Sequence, residues 1–429
     1  MFDVIIVGGG AAGFYAAVHI AEGNPKLSIA ILERGKEVLA KVKVSGGGRC
    51  NVTHAEFDPH TLTTNYPRGG KELLGPFHTH FSGDTVAFFE QRGIALKIEE
   101  DGRMFPVSNS SQTIIDFFLR EANRLGITLL KHSSVVDFAP IQLGQGTQNQ
   151  MGWRVQSIKT VYQARKLLIA TGSNPKIWGI LQRLGHTIEP PTPSLFTFNI
   201  KDERITGIPG ISTHANVKIV SKKIFNPKIT IKLASKTAEE TLLESEGPLL
   251  ITHWGMSGPA ILKLSAWGSK ILNNLNYKFL IKVNWLPEYH EAAVFHFLME
   301  LKEVEAKKTI LRTKALAIPR RLWTNLVRYC GIPEDLKWSD ATKLQLQNLA
   351  DQLTGGLFQV DGKSTFKEEF VTAGGVVLKE INFKTFESKL NPNLFFAGEV
   401  INVDAITGGF NFQNAWTSGY IAAQAIVKG

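Results

Sequence analysis

A glycine-rich turn near the start constrains the fold more than any other stretch of this chain. Val4-Ile5-Ile6-Val7 is an apolar run of buried-strand type. It leads into Gly8-Gly9-Gly10-Ala11-Ala12-Gly13, a G-x-G-x-x-G with glycines at 8, 10 and 13. In a strand–turn–helix unit the first glycine makes the tight turn. The second lets the backbone approach a pyrophosphate, and the third lets the helix lie close to the strand. The helix start at Ala11 and Ala12 offers free N–H groups and a dipole that favour an anion. Leu27–Leu32 reads as the second strand. Glu33 ends it twenty residues after Gly13, where a carboxylate accepts ribose hydroxyls, and Arg34 follows. An acid at this point argues against a 2′-phosphate. Strand, turn, helix and acid agree on a Rossmann-type dinucleotide-binding fold, but they do not separate NAD from FAD.

The far end of the chain favours FAD. Leu394-Phe395-Phe396-Ala397-Gly398-Glu399 reads as a buried strand running into a tight turn. Asp404 and Gly408-Gly409-Phe410-Asn411-Phe412-Gln413 follow, then a helix to Val427 carrying the small residues Ala415, Ser418, Gly419 and Ala422. A helix start beneath an isoalloxazine stabilises negative charge on the reduced ring, and small residues allow close packing. Arg165–Ala170 is another buried strand, and Ala170-Thr171-Gly172 resembles the turn that flavoprotein Rossmann domains place beside the cofactor. Any α/β protein can end in a strand, glycines and a helix; the three segments together favour FAD. No second G-x-G-x-x-G occurs, so a separate NAD(P)H domain is not expected.

A chain of 429 residues is too long for one core, so two or three domains are expected. Helical spacing marks residues 110–125, and strands are read at 127–130 and 133–138, with a polar excursion at 141–152. After Pro190-Pro191 the texture changes to short, partly alternating strands: Leu195–Ile200, His214–Val220, Lys228–Leu233, Pro248–Thr252 and Lys278–Trp285. Residues 288–354 turn helical, at Glu288–Leu301, Arg320–Tyr329 and Ser339–Leu353, with Pro319 and Ser339 as starters. Leu357–Val360 returns to strand, and α/β texture resumes at Val371. The expected fold is α/β: a Rossmann-type FAD-binding domain of residues 1–193 and 371–429, interrupted by two inserted domains. One is β-barrel-like, residues 194–287 and 355–370; the other is helical, residues 288–354.

Several segments resemble the BaiN/RdsA family of NAD(P)/FAD-dependent oxidoreductases, some of them aminoacetone-oxidase-like. The most specific is Lys43-Val44-Ser45-Gly46-Gly47-Gly48-Arg49-Cys50-Asn51-Val52-Thr53, close to K-x-S-G-G-G-R-C-N-x-T. Others are Gly102-Arg103-Met104-Phe105-Pro106, Thr252-His253-Trp254-Gly255-Met256-Ser257-Gly258-Pro259, Val371-Thr372-Ala373-Gly374-Gly375-Val376 and Glu387-Ser388-Lys389. The resemblance implies an interrupted FAD domain with barrel and helical inserts. It also implies one of three activities: reduction of a carbonyl-conjugated C=C in steroid-like rings, dihydrouridine formation in ribosomal RNA, or oxidation of small amines. The chain departs from the pattern after Gly172, where Ser173–Gly179 replaces Gly-Ser-Thr-Gly-Asp-Gly. It departs again at Asn402, where Asp is common, and at Phe410, where Tyr is common. The expected FAD contacts are Gly8, Gly10, Ala11, Ala12, Gly13, Glu33, Arg34, Lys41, Ser45, Gly47, Arg49, Cys50, Asn51, Val135, Val136, Thr171, Gly172, Gly398, Glu399, Asp404, Gly409, Phe410 and Asn411. NAD(P)H is the candidate electron donor.

Two residues stand out for catalysis. Cys50 is either a proton donor near the flavin, its pKa depressed beside Arg49, or a small buried residue. His253, in a turn before a helix expected to be N-capped by Ser257, either donates to a substrate carbonyl or is satisfied within its loop. The cysteines, Cys50 and Cys330, give neither a disulfide framework nor zinc spacing, and no metal is expected. With no long apolar run and no leader-like start, a cytoplasmic location and no membrane partner are expected. The net charge of +10 favours anionic partners or simple solubility. Between 302 and 328, Lys302, Lys307, Lys308, Arg312, Lys314, Arg320, Arg321 and Arg328, with Trp323 and Tyr329 interleaved, form either an RNA-facing surface or a solvated helix face. The favoured function is flavin-dependent reduction of a polarised C=C, in a uracil of ribosomal RNA or in a small enone. An amine oxidase and a flavin-stabilised RNA-binding protein without turnover are the alternatives. Oligomeric state is not legible.

Overall fold

The computed structural model describes residues 1–143, 150–221, 240–313, 316–364 and 371–429. The polar excursion at 141–152 falls partly outside them, and the expected strand Lys228–Leu233 falls wholly outside. The chain divides into two compact units, Met1–Thr192 with Lys367–Gly429, and Pro193–Phe366.

The first unit is built on a mixed sheet whose centre is parallel. Its central order is Leu394–Phe396, Val161–Ile169, Phe2–Val7, Ile29–Leu32, Thr128–Leu130, each pair parallel. The hairpin strand Gln150–Ser157 adds antiparallel to Val161–Ile169. Val4 to Val7 and Ile29 to Leu32 are buried on both faces, which is why they read as continuous apolar runs. Helix Ala11–Gly23 and helix Phe410–Lys428 lie side by side. Their approach depends on missing side chains: a Cβ on Gly419 would lie 2.9 Å from the Ala12 carbonyl oxygen. The strand Phe2–Val7 has chain-adjacent Ile29–Leu32 on one side and the distant Val161–Ile169 on the other. That reversal of order opens a crevice at the carboxyl ends of the strands.

The second unit is a seven-stranded antiparallel sheet among the described residues, in the order Gly356–Asp361, Lys278–Asn284, Ser212–Ser221, Glu240–Ile251, Gly255–Ser257, Thr197–Asn199, Lys363–Ser364. The two end strands are successive in the chain, joined at Gly362. Its N–H donates to Tyr277 and its carbonyl accepts from Asn199. The sheet therefore curls until its edges share a turn.

The helical segment shares a hydrophobic cluster with this sheet. Leu298, Leu326, Leu346 and Leu353 belong to the same hydrophobic cluster as Val217, Ile281 and Phe358 of the sheet. Helix Lys343–Gly355 begins four residues later than Ser339. Ser339 lies in a short 3-10 turn, and Thr342 caps the helix with Gln345 reciprocating. Ser257 does not cap helix Pro259–Trp267 either: it sits in a strand, and Gly258 at φ +90° holds the cap position.

Candidate functional site

Four loops of the first unit emerge from the carboxyl edge of its parallel strands. They are Gly8–Gly10 after Phe2–Val7, Glu33–Gly35 after Ile29–Leu32, Thr171-Gly172 after Val161–Ile169, and Gly398-Glu399 after Leu394–Phe396. Gly8 has φ +113°, and a Cβ there would sit 2.4 Å from the Ala170 carbonyl oxygen. On Gly13 a Cβ would meet the Gly8 carbonyl oxygen at 2.1 Å. Gly10 differs: a Cβ would meet nothing within 4 Å. It is the N-cap of helix Ala11–Gly23, and no side chain caps that end. The helix therefore presents uncapped N–H groups and its positive dipole end to open space, which is what an anionic diphosphate requires.

Glu33 accepts from the Gly9 N–H at 3.0 Å and the Gly35 N–H at 2.7 Å. These bonds fix the carboxylate beside the glycine turn. The carbonyl of Glu33 accepts from Ser133, and Gly35 from His132, which brings the start of strand Val135–Leu143 to the same turn. Val135 is buried there, while Val136 and Arg34 are exposed. Lys41 pairs with Glu399, tying the helical turn that begins at Ala40 to the C-terminal turn. The Gly398 N–H donates to Ser418 Oγ at 2.9 Å, locking that turn onto the last helix.

The Ser45–Asn51 segment folds on itself. Gly46, Gly47 and Gly48 have φ of +59°, +69° and +85°, and Cys50 follows at φ +62°. The Cys50 N–H donates to Ser45 O, and Ser45 Oγ to Val42 O. Gly47 is exposed with open space at its Cβ position. Asn51, with its amide oxygen toward Gly409, accepts from that N–H at 2.9 Å and donates to the Thr53 and Met104 carbonyls. Gly409 in turn caps the last helix at φ +97°. The two most distinctive segments of the sequence are thus joined by one amide side chain.

Four of the residues named from the sequence are shut from solvent or have partners within the protein. The Cys50 thiol is fully buried, and burial pushes its pKa up to about 12, against the depressed value expected beside Arg49. Arg49 is paired: its guanidinium lies 2.5 Å from Glu99 and 4.0 Å over the Phe105 ring. Asp404 has no exposed surface and is engaged by Arg68, so its charge is met by protein. Asn411 bonds the Ala405 backbone in both directions and holds its loop. The sequence reading passed over Tyr66, whose hydroxyl donates to the Phe410 carbonyl at 2.6 Å, and His54, stacked on Phe410 at 4.5 Å. It also passed over Arg68 itself. The one available signal was Pro67-Arg68-Gly69-Gly70, a turn whose Gly69 has φ +83°.

His253 belongs to the second unit. It is exposed in the turn between strands Glu240–Ile251 and Gly255–Ser257, beside the exposed Trp254. Among the described residues no helix is long and apolar enough to cross a membrane.

The HI0933-like protein Rossmann domain matches residues 2–425. The chain belongs to that family. Within it, the chain is 27% identical over 434 residues to a ribosomal RNA dihydrouridine synthase of Haemophilus influenzae, covering 99% of this chain and 98% of the relative. It is 26% identical, with the same coverage, to a ribosomal RNA dihydrouridine synthase of Escherichia coli. A 3-dehydro-bile acid delta(4,6)-reductase of Clostridium scindens is 24% identical over 99% of this chain and 98% of its own. This HI0933-like protein is a flavoprotein oxidoreductase, and the resemblance drawn from the Lys43–Thr53 segment holds.

Proposed function

We propose that the chain binds FAD across the carboxyl edge of its parallel sheet and reduces the carbonyl-conjugated C=C of a uracil in ribosomal RNA to dihydrouridine. The observation that carries the reading is the convergence of Gly10, Glu33, Thr171-Gly172 and Gly398-Glu399 on that one edge. Gly10 with Ala11 and Ala12 holds the diphosphate, and Glu33 the adenosine ribose. Gly47, which is exposed with open space at its Cβ position, and the start of the last helix at Gly409 would help to hold the flavin half. When bound, FAD supplies the electron pair for the reduction. The expected donor to FAD is NAD(P)H, reaching the same site because no second dinucleotide fingerprint is present.

The substrate assignment rests on the two full-length synthase relatives and on the basic charge of the chain. A small cyclic enone is the second reading, favoured by the full-length bile acid reductase relative. The deciding experiment compares dihydrouridine in ribosomal RNA from cells with and without the protein, and in RNA treated with FAD-loaded enzyme and NAD(P)H. Dihydrouridine that depends on the protein is expected. Unchanged RNA with rapid enone reduction would establish the second reading, and peroxide formed from aminoacetone in air would turn the assignment to an oxidase.

A further inference from the structure

The turn Thr252–Gly255 displays an aromatic ring on a fixed backbone. Trp254 is 61% exposed, yet its main chain is tied down on both sides. Its carbonyl accepts from the Ile200 N–H at 2.9 Å, and its N–H donates to Thr252 Oγ1 at 3.3 Å. Thr252 closes the turn through a 2.8 Å bond to the Gly255 carbonyl. Gly255 is obligatory: its φ is +146°, and a Cβ would lie 2.2 Å from the Phe198 carbonyl oxygen. A single exposed tryptophan is unremarkable on a mobile loop. Here the loop is held, so a planar partner stacks without having to order it.

Beside Trp254 lies an open depression of about 400 Å³, lined by Pro209, Gly210, Leu250, Ile251, Thr252 and His253. Its far wall is bound to a cationic helix. Arg321, in helix Arg320–Tyr329, donates to the Gly207 carbonyl at 2.5 Å, and Asn325 of the same helix donates to Arg204 and Thr206. The segment 204–210 therefore bridges the basic helix and the tryptophan turn. Arg320 and Arg321 are exposed and pair with no carboxylate among the described residues, unlike Arg328, which is met by Glu334. Residues 193–366 hold 23 Lys and Arg against 16 Asp and Glu, so 7 of the chain's 10 excess positive charges lie in this unit.

We infer that Trp254 is a stacking platform for a nucleobase of single-stranded RNA, with the adjoining depression receiving the base and Arg320 and Arg321 meeting the backbone phosphates. Exposed aromatic rings beside a cationic track are the means by which proteins hold unpaired strands, since every base has a π face. Phosphates need uncompensated cations, which this edge has. The inference rests on the RNA reading of the function.

The test uses FAD-loaded protein and a short fluorescein-labelled, uridine-containing single-stranded RNA, with binding read by anisotropy at fixed salt. Thermal melting of each variant confirms that it is folded. Trp254→Ala should bind at least about tenfold more weakly, and Trp254→Phe should recover most of the loss. Arg321→Gln should flatten the dependence of affinity on salt. Wild-type affinity in Trp254→Ala overturns the inference. So does a Trp254→Ala protein that keeps RNA affinity but loses self-association or affinity for a cyclic enone. Scoring dihydrouridine in parallel separates the two claims. Dihydrouridine formed with no role for Trp254 in binding removes the platform and leaves the function. Binding that depends on Trp254 without dihydrouridine removes the function and leaves the platform.

Discussion

Gly8 and Gly10 stand two residues apart and answer to different demands. At Gly8 the backbone is left-handed and a Cβ would collide with the Ala170 carbonyl, so Gly8→Ala should destabilise the apoprotein by more than about 1 kcal/mol. At Gly10 the backbone is extended and the Cβ direction is empty. Gly10→Val should therefore cost the apoprotein no more than the about 1 kcal/mol of a poorer N-cap, while weakening FAD binding at least tenfold, read by flavin fluorescence. If Gly10→Val binds FAD normally, the diphosphate does not sit there. Both glycines were legible in the sequence because the spacing encodes the turn. Cys50 was not: its neighbour Arg49 suggested a lowered pKa, but the pairing of Arg49 with Glu99 fifty residues away is a tertiary fact that spacing cannot carry. A thiol pushed up to about 12 by burial neither ionises nor exchanges readily at neutral pH. Cys50→Ala should accordingly keep the pH–rate profile of turnover, and native Cys50 should resist alkylation until the protein unfolds. An altered acidic or basic limb in the variant would restore the thiol to the chemistry.

Elements were legible where one period dominated. The strand through Val4–Val7, the helix start at Ala11 and the helix Arg320–Tyr329 were legible, because glycines or prolines mark their ends as well as a buried face. Helices Gly70–Thr79 and Ser82–Glu90 were missed: the first contains Pro76 and follows the left-handed Gly69, and half of the buried face of the second is the polar pair Ser82 and Thr85. These elements nevertheless brace the last helix. His80, at the end of Gly70–Thr79, bonds the Tyr15 hydroxyl at 2.9 Å, stacks on Tyr420 at 4.3 Å and accepts at its carbonyl from Thr417. Burial holds its pKa down to about 4, below the ordinary 6.5. The unfolded chain therefore takes up the proton first as pH falls. Its contribution to stability is complete above about pH 6.5 and declines between there and pH 4, by on the order of 3 kcal/mol. His80→Gln should be less stable than wild type at pH 7.5 yet lose stability less steeply on acidification. Parallel stability–pH curves for the two proteins would rule out His80 as the titrating group.

At the scale of the whole molecule, the sequence changes texture after Pro190-Pro191, beside the division at Thr192 and Pro193, while the shared core of sheet and helices was not legible. Helix Lys343–Gly355 is apolar at Leu346, Leu349 and Leu353 whether it packs on other helices or on a sheet, and periodicity alone does not name the partner. In the structure these residues share a core with Ile281 and Phe358, separate from the core around Ile5, Phe118 and Trp416. Two cores imply two cooperative units. Gly10 and Glu33, the proposed diphosphate cradle and ribose acid, belong entirely to the unit of residues 1–192 and the C-terminal segment. A ligand stabilises what it binds by about 2.7 kcal/mol at a hundredfold excess over its Kd, worth roughly 5–10 °C for a unit of this size. Calorimetry should accordingly resolve two transitions, of which added FAD raises one and leaves the other in place. Gly10→Val should abolish the shift without moving the FAD-insensitive transition. One transition that rises as a whole with FAD would mean that the two cores melt together, and that cofactor binding in one unit stabilises the platform at Trp254 in the other.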